Sequence, residues 1–223
     1  MLKKIVLTNF KCFKNKVEIP LANFNLLTGV NGKGKSTLLQ SLLLMRQSIE
    51  HNPSTKHILF NGSCVNLGVF DGIRNSEVRK MADIEMEYHW KSGSIKYFLN
   101  SNEHDDMVAD INEIKLRVVS DAKKSLEYNF KMTKRGFVID TANPRFKNKT
   151  YRLNKLLLFG LWESEQRTLI GKLRQEVDFS RIHYVAADRF GPQDFYTRST
   201  LTSFPNVGPK GENTANILHL KKK

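Results

Sequence analysis

The apolar positions at the start of the chain predict three strands followed by a helix. Apolar and polar residues alternate over 5–10, as in a strand with one buried face. A second short strand is predicted at 16–19. The third, at 24–28, is almost continuously apolar, which favours burial on both faces. A helix is predicted over 35–50, because its leucines and methionine recur three and four residues apart.

The middle of the chain shows the two-residue period of a sheet with one solvated face. Apolar residues alternate with charged ones over 84–88 and 95–99, and again over 126–130. Gly93 and the acidic stretch 102–110 supply turn residues between these runs. The segment therefore predicts an antiparallel sheet built from hairpins.

The last third of the chain returns to longer apolar spacings. A helix is predicted over 154–177, with leucines 157, 161, 169 and 173 on one side. The run 182–187 predicts one more buried strand. Prolines and glycines make 190–213 mostly loop, and a helical turn is predicted to begin at Thr214.

One motif carries specific chemistry. The sequence GVNGKGKS at Gly29–Ser36 fits G-x-x-x-x-G-K-[ST] in every required position. An apolar run precedes the motif and an amphipathic helix follows it, which is the order that a phosphate-binding loop requires. The motif therefore predicts a nucleoside triphosphate site, for ATP with Mg²⁺.

Each residue of this loop has an expected role. Lys35 is expected to reach the β- and γ-phosphates and to act in catalysis, and Ser36 to place its hydroxyl on Mg²⁺. The glycines let the backbone turn its N–H groups toward one anion, and the helix adds the positive end of its dipole. The remaining predicted nucleotide contacts are Gly29, Asn31, Gly32, Lys33, Gly34 and Thr37.

A site of this kind also needs an acidic residue at the end of a second buried strand. Two apolar runs end in aspartate, at Asp140 and at Asp188. Asp140 falls in the antiparallel region and suits a turn. Asp188 follows a predicted core strand and is the better candidate, although a turn at the strand end explains it equally simply.

Composition bears on partners more than on fold. The net charge is +14, which favours nucleic acid as a partner, DNA more than RNA. Hydrophobic residues make up 40% of the chain, enough for one sizeable core. No apolar run approaches the length of a membrane span. A protein of the cytoplasm without a membrane partner is expected.

The motif and its surroundings resemble a known family. IVLTNFKCFKN and NLLTGVNGKGKSTLLQSLLLMRQSIE are similar to the N-terminal lobe of ABC-type ATPases of the SMC, RecF and OLD group. Within that group the chain most resembles bacterial AAA-family ATPases of anti-phage defence loci. Softer similarities lie at 59–75, 182–196 and 207–218.

The resemblance implies an α/β fold, with a P-loop NTPase core like that of ABC ATPases and a flanking antiparallel β subdomain. Residues 1–80 would form the N-terminal part of the ATPase lobe, 81–150 the β subdomain, and 151–223 a helix and core strand returning to the lobe. The family's signature motif and acidic pair belong to a C-terminal half that these residues do not include. The chain would then be a fragment, be completed by another chain, or be naturally short.

The resemblance also implies site residues and partners. Gln193, or alternatively Asp188, would contact Mg²⁺ and the attacking water, and Asn9, Phe10 and Lys11 would lie near the base or ribose. Two heads would dimerise, or form a higher oligomer, around ATP, and a partner nuclease would act with them in defence or DNA repair. Alone, the segment would bind ATP but hydrolyse it poorly.

Two other functions remain compatible with the sequence. The chain length suits a small P-loop kinase or transferase, although no substrate lid with arginines is evident. The missing catalytic glutamate suits a non-catalytic subunit that senses ATP.

Overall fold

The computed structural model describes residues 1–79, 82–120, 125–139, 146, 149–161, 169–189, 191, 193–196, 199–200 and 206–221. The chain divides into two compact units, Met1–Ser180 and Arg181–Lys223. Asp140 and the part of the predicted helix at 162–168 lie outside the described residues.

The first unit is mainly a sheet with a few helices. Its strands are β1 Lys4–Thr8, β2 Val17–Pro20, β3 His57–Leu59, β4 Ile84–Trp90, β5 Gly93–Ser101, β6 Val108–Val119, β7 Ser125–Thr133, β8 Gly136–Ile139, β9 Thr150–Asn154 and β10 Leu157–Phe159. Its helices are α1 Lys35–His51, α2 Phe70–Ile73 and α3 Leu169–Glu176. A 3₁₀ turn at Phe179–Arg181 follows, and α4 Thr214–Lys221 belongs to the second unit.

The strands form one sheet in the order β10-β9-β8-β7-β6-β5-β4-β1-β2, with β3 added to β6. Every strand pair within the described residues is antiparallel. The predicted antiparallel sheet is therefore present, and it also takes in β1 and β2 from the N-terminal segment. The parallel strands of an α/β core are not among the described elements.

The core lies where α1 packs against the sheet. Alternate residues of β4 are buried, as the sequence pattern predicted. The Tyr88 hydroxyl donates a hydrogen bond of 2.9 Å to the carbonyl of Ser41 on α1, and the Tyr97 hydroxyl donates one of 2.9 Å to the carbonyl of Leu156. Phe179 packs edge-on against both tyrosine rings. Burial raises the pKa of both phenols, which therefore stay protonated donors.

Helix α1 agrees with its prediction almost to the residue. It begins at Lys35 and ends at His51, one residue later than expected, and the N–H of Asn52 closes its last turn on Ser48. Most of its side chains are buried, so the helix is held by packing rather than by its own propensity.

The prediction of a strand at 24–28 is wrong. This segment has no strand structure, and Phe24 is 81% exposed and Leu26 74% exposed. An apolar run becomes a buried strand only where neighbours take up its backbone hydrogen bonds and cover both faces. No strand among the described residues pairs with it.

The predicted helix at 154–177 is also partly wrong. Residues 150–159 form the β9–β10 hairpin, and helix α3 covers Leu169–Glu176 within the described residues. Lys155 and Leu156 turn the chain with φ of 51° and 61°, the left-handed pair of a tight hairpin. The Lys155 N–H donates to the carbonyl of Pro53 at 2.6 Å and fixes this turn. Leucine spacing alone could not reveal these contacts.

In the second unit, the predicted strand 182–187 is absent. Val185 is half exposed, and the segment has no strand structure; residue 187 already lies in a turn. The Ala186 N–H donates instead to the carbonyl of Pro209 at 2.7 Å. The predicted helical turn at Thr214 is present and extends to Lys221.

Candidate nucleotide-binding site

The loop at Gly29–Ser36 depends on its glycines. Gly29, Gly32 and Gly34 have φ of +126°, +80° and +95°, a region that side chains rarely adopt. A Cβ built at Gly29 or Gly32 would meet nothing within 4 Å, so both glycines line open space. The loop therefore exposes its backbone to any ligand that approaches it.

The helix that follows presents a bare positive end. Gly34 occupies the N-cap of α1, no side chain caps the helix, and its first turn has no acidic residue. The first N–H groups of a helix have no partner within the helix, and its dipole favours an anion there. A phosphate group would satisfy both conditions.

The Lys35 side chain folds over the loop. Its ammonium donates to the carbonyls of Gly29 at 2.6 Å and Val30 at 2.8 Å, and lies 3.5 Å from Oδ1 of Asn31. These contacts hold the cation above the loop where phosphate oxygens would lie. A bound phosphate would take over some of these donors as charge-assisted hydrogen bonds, which are the stronger kind.

The two hydroxyls beside Lys35 differ in access. Ser36 is exposed, so its hydroxyl is accessible to a metal ion. Thr37 is only 7% exposed, and its Oγ1 lies 3.6 Å from Sγ of Cys12. The predicted contact of Thr37 with the α-phosphate is therefore better suited to its backbone N–H than to its hydroxyl.

The turn at 9–13 supports the loop from below. Asn9 and Lys11 both have positive φ, of 56° and 51°. The ring of Phe13 and the thiol of Cys12 lie under Gly34, where a Cβ would come within 2.5 Å of Cζ of Phe13. Sequence reasoning missed Cys12 and Phe13, because only the folded turn brings them beneath the loop.

The predicted base or ribose residues lie in this same turn. Asn9 is 3% exposed, and its amide donates to the carbonyls of Ala82 at 3.0 Å and Asp83 at 2.9 Å. Phe10 is fully buried. The Lys11 ammonium, by contrast, is partly accessible and donates to Gln40 of α1 at 2.9 Å. Nucleotide contact stays a prediction for all three, and the geometry favours Lys11.

The magnesium candidates beyond Ser36 belong to the second unit. Asp188 is exposed and lies 3.7 Å from the Lys210 ammonium. The Gln193 amide donates to the carbonyl of Gly191 at 3.3 Å. Within the described part of the chain, no cluster of three His, Cys, Asp or Glu residues could hold a metal. A Mg²⁺ ion at the loop would take most of its ligands from phosphate oxygens and water, and the Ser36 hydroxyl would be the ligand that the loop supplies.

A glycine loop, an uncapped helix start and a lysine over the loop together define a P-loop nucleotide-binding protein. Comparison with protein families shows to which family of P-loop proteins the chain belongs. Residues 1–183 match the family model described as AAA ATPase domain, and the chain belongs to this family. The family implies the P-loop NTPase fold and supports ATP binding and ATPase activity.

Other comparisons add nothing to this assignment. Neither the curated proteins nor the solved structures include a significant match. Among the described residues, no helix is both long and apolar enough to cross a membrane.

Proposed function

We propose that this chain is an ATPase head that binds ATP with Mg²⁺ at Gly29–Ser36. Head dimerisation and nucleotide turnover would be coupled to nucleic-acid handling, in anti-phage defence or DNA repair, with a partner nuclease. The observation that carries the nucleotide part is the uncapped start of α1, with the Lys35 ammonium poised over the glycine loop.

In the proposed complex, each group of the loop has one task. Lys35 would exchange loop carbonyls for phosphate oxygens, and Ser36 would turn its exposed hydroxyl to the metal. The first N–H groups of α1 would take the remaining negative charge. Magnesium, when bound, neutralises charge that develops on the β- and γ-phosphates.

The exposed apolar run before the loop supports the proposal that a further strand pairs with it and completes the core of the ATPase head. Phe24, Leu26 and Leu27 are 81%, 74% and 39% exposed. Such a contiguous apolar stretch on a surface is typical of an interaction site. A parallel strand from another segment or another chain would complete the α/β core, and the second head of a dimer would supply the missing catalytic groups.

The nucleic-acid part of the proposal is supported by charge. A net charge of +14 attracts a phosphate backbone and speeds association with it.

The test is calorimetric titration of ATP·Mg into the chain and into Lys35→Ala. Lys33→Ala is the matched control: the predicted nucleotide contact of Lys33 is its backbone N–H, which alanine keeps, and the ammonium that bonds to the loop carbonyls is that of Lys35. Binding that is lost in Lys35→Ala and kept in Lys33→Ala supports the site. Equal binding by both variants and the unchanged chain would refute it.

A second candidate is a non-catalytic subunit that senses ATP. It is favoured by the absence, within the described residues, of a cluster of His, Cys, Asp or Glu that could hold a metal. Phosphate release measured with ATP·Mg, with and without DNA, separates the two. Binding without turnover under every condition supports the sensor, and turnover supports the ATPase.

A further inference from the structure

We infer that a basic groove near the β10 edge of the sheet, at the end of the strand order opposite β1 and β2, binds single-stranded nucleic acid. We call it the hairpin groove. It is a cavity of about 550 Å³ beside the β7–β8 turn and the β9–β10 hairpin, with four cations and one exposed ring at its border. These residues are Lys56, Lys134, Arg135, Arg152 and Phe159. The inference rests on the nucleic-acid part of the proposed function and names the site for it.

The groove is built by strand pairing and therefore has a fixed shape. Lys134 and Arg135 form the tip of the turn between β7 and β8, closed by a 2.7 Å hydrogen bond from Thr133 Oγ1 to the Gly136 carbonyl. Gly136 has φ +132°, and a Cβ there would lie 2.7 Å from the carbonyl oxygen of Tyr151. This close approach sets the two hairpins side by side.

The groove is strongly and uniformly positive. Its four cationic side chains are all exposed, and among the described residues no aspartate or glutamate lines the cavity. Within the described residues, none of the four forms an ion pair with a carboxylate. Elsewhere on the sheet, by contrast, lysines such as Lys4 and Lys96 are paired with glutamates. Unpaired cations in one groove suit a polyanion.

The exposed ring decides which polyanion fits best. Phe159 is 52% exposed, although both its neighbours in β10 are buried. It pairs directly with Arg152 across β9–β10, so ring and guanidinium lie on the same face, within side-chain reach. A ring and a guanidinium side by side form a stacking surface for bases. Bases in a duplex already cover one another's faces, so this surface favours a single strand.

The size of the cavity agrees with this ligand. Ligand pockets fall at about 300–1,000 Å³, and the groove is open rather than enclosed. It has room for one unstacked nucleotide, with the chain continuing along the cations at the turn. An acidic peptide would satisfy the cations but leave Phe159 without a matching surface.

The experiment measures binding of the full chain to labelled oligothymidylate of about 20 nucleotides by fluorescence anisotropy, at several salt concentrations. A duplex of equal length and polyglutamate serve as competitors. The variants are Arg135→Ala with Arg152→Ala, and Phe159→Ala. The charge-matched control is Lys3→Ala with Lys91→Ala, which removes two exposed cations outside the groove. Thermal unfolding and ATP titration check that each variant is folded.

We expect the double arginine variant to weaken binding on the order of tenfold or more. The slope of log K against log salt concentration should become shallower by about one to two. Phe159→Ala should weaken single-strand binding on the order of tenfold and leave duplex binding unchanged. The lysine control should bind nearly as the unchanged chain does.

Three outcomes would overturn the inference, and they separate it from the proposed function. If the chain binds oligonucleotide but the groove variants bind equally well, the groove is not the site and the proposed function stands. If duplex or polyglutamate competes as well as the single strand, the assigned ligand is wrong. If the unchanged chain binds ATP but no nucleic acid, with or without ATP·Mg, the nucleic-acid part of the proposed function fails together with the groove.

Discussion

At Gly34, a backbone conformation that disfavours side chains coincides with close packing beneath the loop. Its φ of +95° is unfavourable for any side chain, and it forms the N-cap of α1. A Cβ there would lie 2.5 Å and 2.7 Å from two ring carbons of Phe13, and 3.1 Å from Sγ of Cys12. Gly34→Ala therefore adds a clash to a strained backbone at the point where the loop joins the helix.

The cost can be estimated from these two sources. A non-glycine residue in a strained backbone region costs about 1–3 kcal/mol. An extra carbon in a packed site adds about 1–3 kcal/mol, and the low end applies because the tip of the partly exposed Phe13 ring can move. Gly34→Ala should therefore lose about 2–4 kcal/mol of unfolding free energy. Small domains have only about 5–15 kcal/mol in total.

The control is Gly32→Ala in the same loop. Gly32 has φ +80°, but a Cβ there would meet nothing within 4 Å. It should therefore show only the backbone cost. Urea unfolding of both variants isolates the packing contribution at Gly34. Calorimetric titration of ATP·Mg then shows how much of the loss appears in nucleotide binding.

A double-mutant cycle with Phe13→Ala makes the reasoning falsifiable. Removing the ring should return part of the stability that Gly34→Ala loses, with a coupling energy of about 0.5–3 kcal/mol. If Gly34→Ala costs no more than Gly32→Ala, and Phe13→Ala brings no recovery, the packing beneath the loop has no energetic importance.

Three further predictions concern the body of the first unit. Burial raises the pKa of the Asp83 carboxyl above its usual 3.8. The folded chain thus holds that proton more tightly than the unfolded chain does. It loses stability as the pH rises from the pKa of the unfolded chain through the higher pKa of the folded chain. Asp83→Asn should raise the Tm at neutral pH and flatten its fall with pH. Asn75→Ala removes the 2.6 Å hydrogen bond to the Lys11 carbonyl and should cost about 1–3 kcal/mol in urea unfolding. Tyr88→Phe keeps the buried ring but loses the bond to Ser41, for about 1 kcal/mol in thermal unfolding.

The elements that sequence predicted well depend on local pattern. The loop motif and α1 have their own turn chemistry and their own apolar stripe, so neither needs distant residues to be recognised. The alternation in β4 and β5 likewise reports which face is buried, and the structure pairs these strands as expected.

The elements that sequence predicted wrongly depend on distant partners. The leucines of 154–161 suit a helix or a hairpin equally. The hairpin is selected by the left-handed turn at Lys155–Leu156 and by the hydrogen bonds that join this turn to the Pro53 carbonyl and the Tyr97 hydroxyl. The Cβ contacts under Gly34 are equally invisible in sequence, because Phe13 reaches the loop only through the turn at 9–13.

The apolar run before the loop has the local pattern of a strand but lacks a distant partner among the described residues. Its composition is that of a buried strand, yet Phe24 and Leu26 lie on the surface, so the sequence encodes burial that the described residues do not supply. The same run leads directly into Gly29, whose carbonyl accepts from Lys35. Any strand that pairs with it would order the loop from one side, while Phe13 and Cys12 pack against it from the other. Completion of the proposed head and nucleotide affinity would then be linked, because a loop already held in its binding conformation loses less entropy on binding.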